Sequence, residues 1–244
     1  MNFVIVILSV IIIVILFYFG YKSYFGNKNG LQNQVSLADN TKPVPDIVAT
    51  NLSKPDATRF AYGVWMYVNT LNSPSSKSVI FSRNNDIVAY LDQSTSTLSV
   101  ILNPDTSTLT AAASGSITIA NESNIRKTNS TKIDITNNFP LQKWVHLVVS
   151  VDNNVADIYL DGKLVKSVQV KQVAPRKDDS IKFGLGFDIY IDRFKRWIYP
   201  LAPQEVWNEY YSGSGSRLNL ANSKYNVALS ILKDDVISKK YTLY

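Results

Sequence analysis

The chain has 244 residues, no cysteine, one histidine and a formal net charge of +6 at pH 7. Those counts exclude a disulfide framework and a thiolate metal site, agree with a reducing compartment, and leave a single imidazole for any His-dependent catalysis. The basic balance suits an anionic partner such as a lipid headgroup layer, an acidic protein lattice or a nucleic acid.

Apolar sequence begins almost at once. From Phe3 to Phe19 (FVIVILSVIIIVILFYF) only Ser9 and Tyr18 interrupt the Ile, Val, Leu and Phe. As a helix this run is about 26 Å long, close to the ~30 Å hydrocarbon core of a bilayer. A transmembrane anchor over residues 1–21 is therefore predicted, with Phe3, Ile11 and Phe19 in the lipid. A cleaved secretory signal would need a basic region before a shorter apolar stretch and a small-residue cleavage site after it. Here only Met1 and Asn2 come first, and Gly20, Tyr21, Lys22, Tyr24 and Phe25 follow. Tyr21, Lys22, Tyr24 and Lys28 suit the membrane interface, and the lysines after the span place the C-terminal bulk on the cytoplasmic side. Sequons at Asn51, Asn121 and Asn129 point the other way, but a chain rich in Asn, Ser and Thr forms such triplets by chance.

Residues 22–58 are polar and punctuated by Gly26, Gly30, Pro43, Pro45 and Pro55, which predicts a linker or extended arm long enough to hold a domain clear of the lipid. Residues 59–244 are then expected to form one β domain. Strict alternation starts at Phe60: Phe60, Tyr62, Val64, Met66 and Val68 share one parity and Ala61, Gly63, Trp65 and Tyr67 the other, as in a strand covered on both faces. Short β-prone pieces follow at Ser78 to Ser82, Ile87 to Leu91 and Thr97 to Leu102, separated by turn residues.

WVHLVVSVD, VADIYL and KLVKSVQV are parted by Asn153-Asn154 and by Asp161-Gly162, a three-stranded antiparallel meander whose second turn is of the primed type. Further strands are expected at Ile181 to Leu185 and Ile189 to Ile198. Pro203 and Glu205 then open a short helix that Gly213 and Gly215 end. Trp207, Tyr210 and Tyr211 on this helix favour a buried seam over a partner-facing patch by their spacing. The tail carries one more alternating strand, Tyr225 to Ile231, before a turn at Lys233 to Asp235.

Many antiparallel strands with no long helix argue for an all-β jelly-roll sandwich. The stretch PLQKWVHLVVSVDNNVADIYLDGKLVKS resembles the central signature of concanavalin A-like, laminin G-like domains, with GVWMYVN and VIFSRN in the positions of the first two core strands. The likeness runs from about Phe60 to Gly215 and implies structural roles for Trp144, His146, Asp161, Gly162, Trp197 and Trp207. IDRFKRWIYPLAPQEVWNEYYSGSG also resembles the closing segment of versions of this domain in large DNA viruses of eukaryotes, which often follow an N-terminal membrane anchor. Many members have a glycine where this chain has Tyr190. The resemblance implies a minor virion protein whose partners are the bilayer and capsid subunits. The alternative is a glycan-binding lectin displayed on a membrane.

No catalytic residue is expected. Glycoside hydrolysis on this fold needs two facing carboxyl groups. The glutamates are only Glu122, Glu205 and Glu209, and the last two share a helix face. Asp188 and Asp192 alternate on one strand, an arrangement that solvated side chains explain better than catalysis. His146 shares a strand face with Val148 and Ser150, as a packing residue with one satisfied ring nitrogen does. Calcium is the one metal left open, with Asp86, Asp92 and Asp161 in turns, although turn chemistry accounts for all three. Arg193, Lys195 and Arg196 form the best basic cluster, but no recognition motif surrounds them, so no nucleic acid is expected.

Overall fold

The structure, a computed structural model, describes residues 11–19, 30–39, 41–71, 77–106, 118–119, 122–214, 228–233 and 236–242. Residues 11–19 form a helix, α1. The strands are β1 (Gly30–Gln32), β2 (Val35–Ser36), β3 (Phe60–Val68), β4 (Lys77–Arg83), β5 (Ile87–Asp92), β6 (Thr97–Pro104), β7 (Thr118–Ile119) and β8 (Arg126–Thr136). After them come β9 (Trp144–Asp152), β10 (Val155–Leu160), β11 (Lys163–Gln169), β12 (Ile181–Phe183), β13 (Ile189–Trp197), helix α2 (Pro203–Tyr211), β14 (Ala228–Lys233) and β15 (Val236–Thr242).

Two antiparallel sheets make the sandwich. One runs β1-β13-β3-β9-β10-β11, with β2 also on β13; the other runs β12-β4-β5-β6-β8, with β7 on β4. The parity of β3 explains its place at the centre of the seven-stranded sheet. Phe60, Tyr62, Val64, Met66 and Val68 enter the core between the sheets, whereas Ala61 joins a second cluster with Val148, Tyr159, Trp197, Leu201 and Val206 beneath α2. A third cluster, Val79, Val88, Tyr90, Ile101, Ile119 and Ile125, lies on the outer face of the six-stranded sheet. Both faces of each sheet therefore carry apolar side chains, which is why the central strands show little polar alternation.

The meander forms as predicted. Asp161 and Gly162 both have positive φ, 48° and 77°, as a two-residue primed turn requires. Asp161 also fastens the turn to β9, accepting the His146 amide at 2.9 Å through its carboxylate and donating its own amide to the His146 carbonyl at 2.9 Å.

Two boundaries need correction. The segment expected as a free arm, residues 22–58, is built into the sandwich from Gly30 onward: β1 and β2 pair with β13, and Leu37, Val44, Ile47 and Leu52 are in the core. These apolar residues are scattered between prolines, so they bury without the periodicity that announces a strand. The domain also does not extend to residue 244. The chain divides into two compact units at Ser214, and β14 and β15 form a separate two-stranded hairpin within residues 215–244. Strand β8 was not foreseen, because its first half, Arg126 to Lys132, is polar and only Ile133 and Ile135 alternate.

Helix α1 has nine described residues, apolar except for Tyr18, and each is between 47% and 78% exposed. Among the described residues no helix is long and apolar enough to cross a membrane. Ile11 and Phe19 lie in α1; Phe3, Tyr21, Lys22, Tyr24 and Lys28 lie outside the described residues.

Candidate functional site

A polar cleft opens on the outer face of the six-stranded sheet, with a volume of about 300 Å³. Strands β5, β6 and β8 lie side by side there, and the period of two turns their polar residues outward while Leu91, Leu98, Val100 and Ile133 fill the core. The lining combines Asp92, Thr95, Thr97, Ser99, Lys132, Asp134 and Asn137 around Tyr90.

Its charges are wired to one another. Glu122, on the short 3-10 helix Glu122–Ile125, receives Lys77 at 2.8 Å and the Tyr90 hydroxyl at 3.0 Å, and pairs with Lys132 at 3.2 Å. Lys132 also reaches Asp134 at 3.2 Å, and Ser99 donates to Asp134 at 2.7 Å. Burial works to raise the Glu122 carboxyl, but the hydrogen bonds from Lys77, Tyr90 and Lys132 outweigh it and hold the group below its ordinary value. Burial pushes the Tyr90 phenol up to about 12, with Glu122 adding to the effect. A carboxyl held ionised by two ammonium groups is a poor general acid, and glycosidases raise the acid member of the pair instead. What the cleft offers is a dense set of hydroxyl, carboxylate, amide and ammonium groups on a rigid sheet, which suits hydrogen bonding to a polar ligand.

The residues singled out in the sequence fall elsewhere. Trp144 packs on Tyr67 with ring centroids 5.6 Å apart. His146 is buried and stacks on Trp65 at 4.8 Å, which in turn stacks on Tyr210 of α2 at 5.6 Å. Its Nδ1 is buried with no hydrogen-bond partner. Burial pulls this imidazole down to about 3, aided by the charges of Lys195 and Arg193 and opposed by Asp161. Trp197 lies beneath α2 and covers Gly63, where an added Cβ would come within 2.9 Å of the indole. Trp207 covers Gly162 in the same way, again at 2.9 Å.

The aromatic seam expected on α2 is only partly made. Val206 is the buried residue of the helix, whereas Trp207 is 43% and Tyr211 78% exposed. Of the three aromatics, Tyr210 stacks inward on Trp65, while Trp207 lies with one edge against Gly162.

The calcium candidates are each committed to protein partners. Asp86 is buried between the Tyr62 hydroxyl at 2.6 Å and the Arg83 guanidinium at 2.9 Å, and burial raises its carboxyl against the pull of Arg83, Tyr62 and Arg196. Asp92 caps its own turn by accepting the Ser94 amide and hydroxyl, and Asp161 holds the meander. Among the described residues no group of three His, Cys, Asp or Glu is placed to hold a metal ion. Asp188 accepts from the Asn69 side-chain amide at 2.7 Å and the Thr70 hydroxyl at 2.9 Å, which ties the start of β13 to the end of β3, and Asp192 accepts the Arg193 backbone amide at 2.7 Å.

The basic cluster is likewise internal. Arg193 donates to the Gly213 carbonyl at 2.7 Å, Lys195 pairs with Glu209 at 2.7 Å, and Arg196 is buried against Tyr62 and the carbonyls of Ser53 and Lys54. Sequence reasoning missed the cleft because Lys77, Glu122 and Lys132 are far apart in the chain and meet only through sheet pairing. The alternating hydroxyls of Thr97 and Ser99 were its one local sign.

Residues 44–207 match the family described as the concanavalin A-like lectin/glucanases superfamily. The chain belongs to this family. Similar solved structures include the botulinum neurotoxin serotype D ligand binding domain in complex with N-acetylneuraminic acid. It is 13% identical with a TM-score of 0.51, over 76% of this chain and 43% of that one. A single-residue mutant of HCR/D is 14% identical with a TM-score of 0.50, over 76% and 44%. The binding domain of botulinum neurotoxin DC with rat synaptotagmin II is 16% identical with a TM-score of 0.46, over 63% and 36%. The chain thus spans less than half the length of these structures, and at such identities the likeness is one of fold. No curated protein sequence matches the chain.

Proposed function

We propose that this protein is a single-pass membrane protein that holds a non-enzymatic concanavalin A-like domain on the cytoplasmic face for contact with other proteins. The observation that carries this reading is α1: a helix of Ile, Val, Leu, Phe and Tyr with every described side chain at least 47% exposed. Leaving such a surface in water costs on the order of 25 cal/mol per Å² of apolar area, so something apolar covers it. The continuous run from Phe3 to Phe19 has the length of a bilayer core. In its most specific form the protein is a minor virion component linking an internal membrane to the capsid shell, supported by the resemblance of residues 191–215 to the viral versions of the domain. Fractionation of membranes or purified particles in detergent tests it. Release with the lipid fits a membrane protein, and retention on a protein shell after lipid removal fits the capsid link. Recovery in neither fraction contradicts both.

The polar cleft favours a second reading, glycan binding. Fold alone does not carry a ligand from one member to another, so this rests on the lining of Asp92, Asp134, Asn137 and the hydroxyls of Thr95, Thr97 and Ser99. Glycan-array binding that Asp134→Ala and Asn137→Ala abolish in a folded protein would establish it.

A further inference from the structure

We infer that the polar cleft selects neutral, hydroxyl-rich glycans and rejects those bearing a carboxylate or sulfate, because a line of alternating charges on the sheet presents an aspartate at each of its ends. The inference rests on the glycan-binding reading above and names the class of sugar that this site takes.

The charges are strung in one order. Lys77 of β4 sits between Asp92 of β5 at 3.8 Å and Glu122 at 2.8 Å, and Lys132 of β8 sits between the same Glu122 at 3.2 Å and Asp134 at 3.2 Å. The sequence of groups is therefore Asp92, Lys77, Glu122, Lys132, Asp134, negative in the middle and at both ends. Three carboxylates against two ammonium groups leave a local charge of −1, opposite in sign to the +6 of the whole chain. The remaining cations of β8 stand at the far end of that strand, where Arg126 pairs with Pro104 and Lys127 bonds the Asn85 side chain.

The ends of the line are what a ligand meets. Asp92, Lys132 and Asp134 line the cleft. The Asp134 side chain is 46% exposed and receives both Ser99 and Lys132 on one oxygen, Oδ1, which leaves Oδ2 open to a donor from outside. Asn137, exposed on the same lining, adds an amide. A pair of sugar hydroxyls thus finds an acceptor in Oδ2 and a donor in the Asn137 amide. A carboxylate or sulfate instead meets a terminal aspartate, and it reaches an ammonium only by breaking a pair already made. Like charge set against like is the means by which a site rejects a ligand that its shape would admit.

Ring stacking does not contribute to the choice. Tyr90, the aromatic residue of the lining, is 1% exposed and its hydroxyl is bonded to Glu122. Selection comes from hydrogen bonds and charge, and a clustered glycan display supplies the avidity that a single sugar lacks.

The test uses the full chain in detergent micelles on an array of matched glycans, each neutral member identical to its acidic partner save for a terminal sialic acid or sulfate. Binding at the cleft is the share that Asn137→Ala removes, a substitution that changes no charge. The expected result is a preference for the neutral member of about tenfold. Asp134→Asn, which keeps an oxygen for Ser99 and Lys132, should narrow that preference several-fold in the folded protein. Equal or stronger cleft binding of the acidic partner overturns the selection and leaves the glycan reading standing. An undiminished preference in Asp134→Asn overturns the line of charges as its cause, and this inference with it. Absence of any binding that Asn137→Ala removes, in a chain that still melts cooperatively, overturns the glycan reading itself.

Discussion

Gly162 shows how narrowly a single residue can be fixed. It sits at φ 77° in the primed turn, and an added Cβ would lie 2.9 Å from the Trp207 ring and 3.2 Å from Tyr210. A β-branched side chain at positive φ costs about 1–3 kcal/mol before any clash. Gly162→Val should therefore lower the melting temperature by several degrees and loosen α2, visible as a red shift of tryptophan emission. An unchanged melting temperature would mean that the turn is not held in this conformation. His146 makes a second, pH-dependent prediction. Its folded value near 3 lies below the ordinary 6.5, because burial disfavours the cation. Between those values the unfolded chain binds the extra proton. The contribution to stability is complete above about pH 6.5 and is lost as pH falls, by about 1.4 kcal/mol per unit. His146→Gln should cost about 1–2 kcal/mol at neutral pH and remove this slope in urea titrations compared at pH 7 and pH 5. Identical slopes in the two proteins would contradict the buried, neutral imidazole.

The elements differ in how openly the sequence declares them. Strands β3, β9, β10 and β11 were legible because their alternation is long and their turns carry Asn-Asn and Asp-Gly, signals that act locally. Helix α2 was legible from Pro203 and Glu205, and the Glu205 carboxylate does accept the Ala202 amide at 2.8 Å. Residues 30–58 were not, since Leu37, Val44, Ile47 and Leu52 owe their burial to β13 and to loops far along the chain. The Arg196 guanidinium, which bonds the carbonyls of Ser53 and Lys54, is similarly invisible until the sheet is assembled. The cleft belongs with these, because Glu122 meets Lys77 and Lys132 through tertiary pairing alone. The consequence is a truncation test. A chain starting at residue 30 should keep a cooperative unfolding transition, whereas one starting at residue 59 loses four core side chains and the two backbone carbonyls that Arg196 bonds, and should be unfolded or protease-sensitive. Equal melting temperatures for the two would restore the arm as a mere linker.

For the whole molecule, the proposed reading joins an apolar N-terminal helix, α1, to a jelly-roll that begins at Gly30 and whose two outer faces differ. One carries α2 with its exposed Trp207 and Tyr211, the other the polar cleft. The topology implies that Asn51 and Asn129, both exposed, stay unglycosylated together with Asn121. A glycosidase-sensitive mass shift in the protein from its natural host would place the domain on the opposite side. The most direct measurement of the central claim is alkaline extraction of membranes carrying either the full chain or a variant lacking Phe3 to Phe19. The account predicts that the full chain remains in the membrane pellet and the shortened one is released with a cooperative melting transition. Release of the full chain into the supernatant would contradict the account.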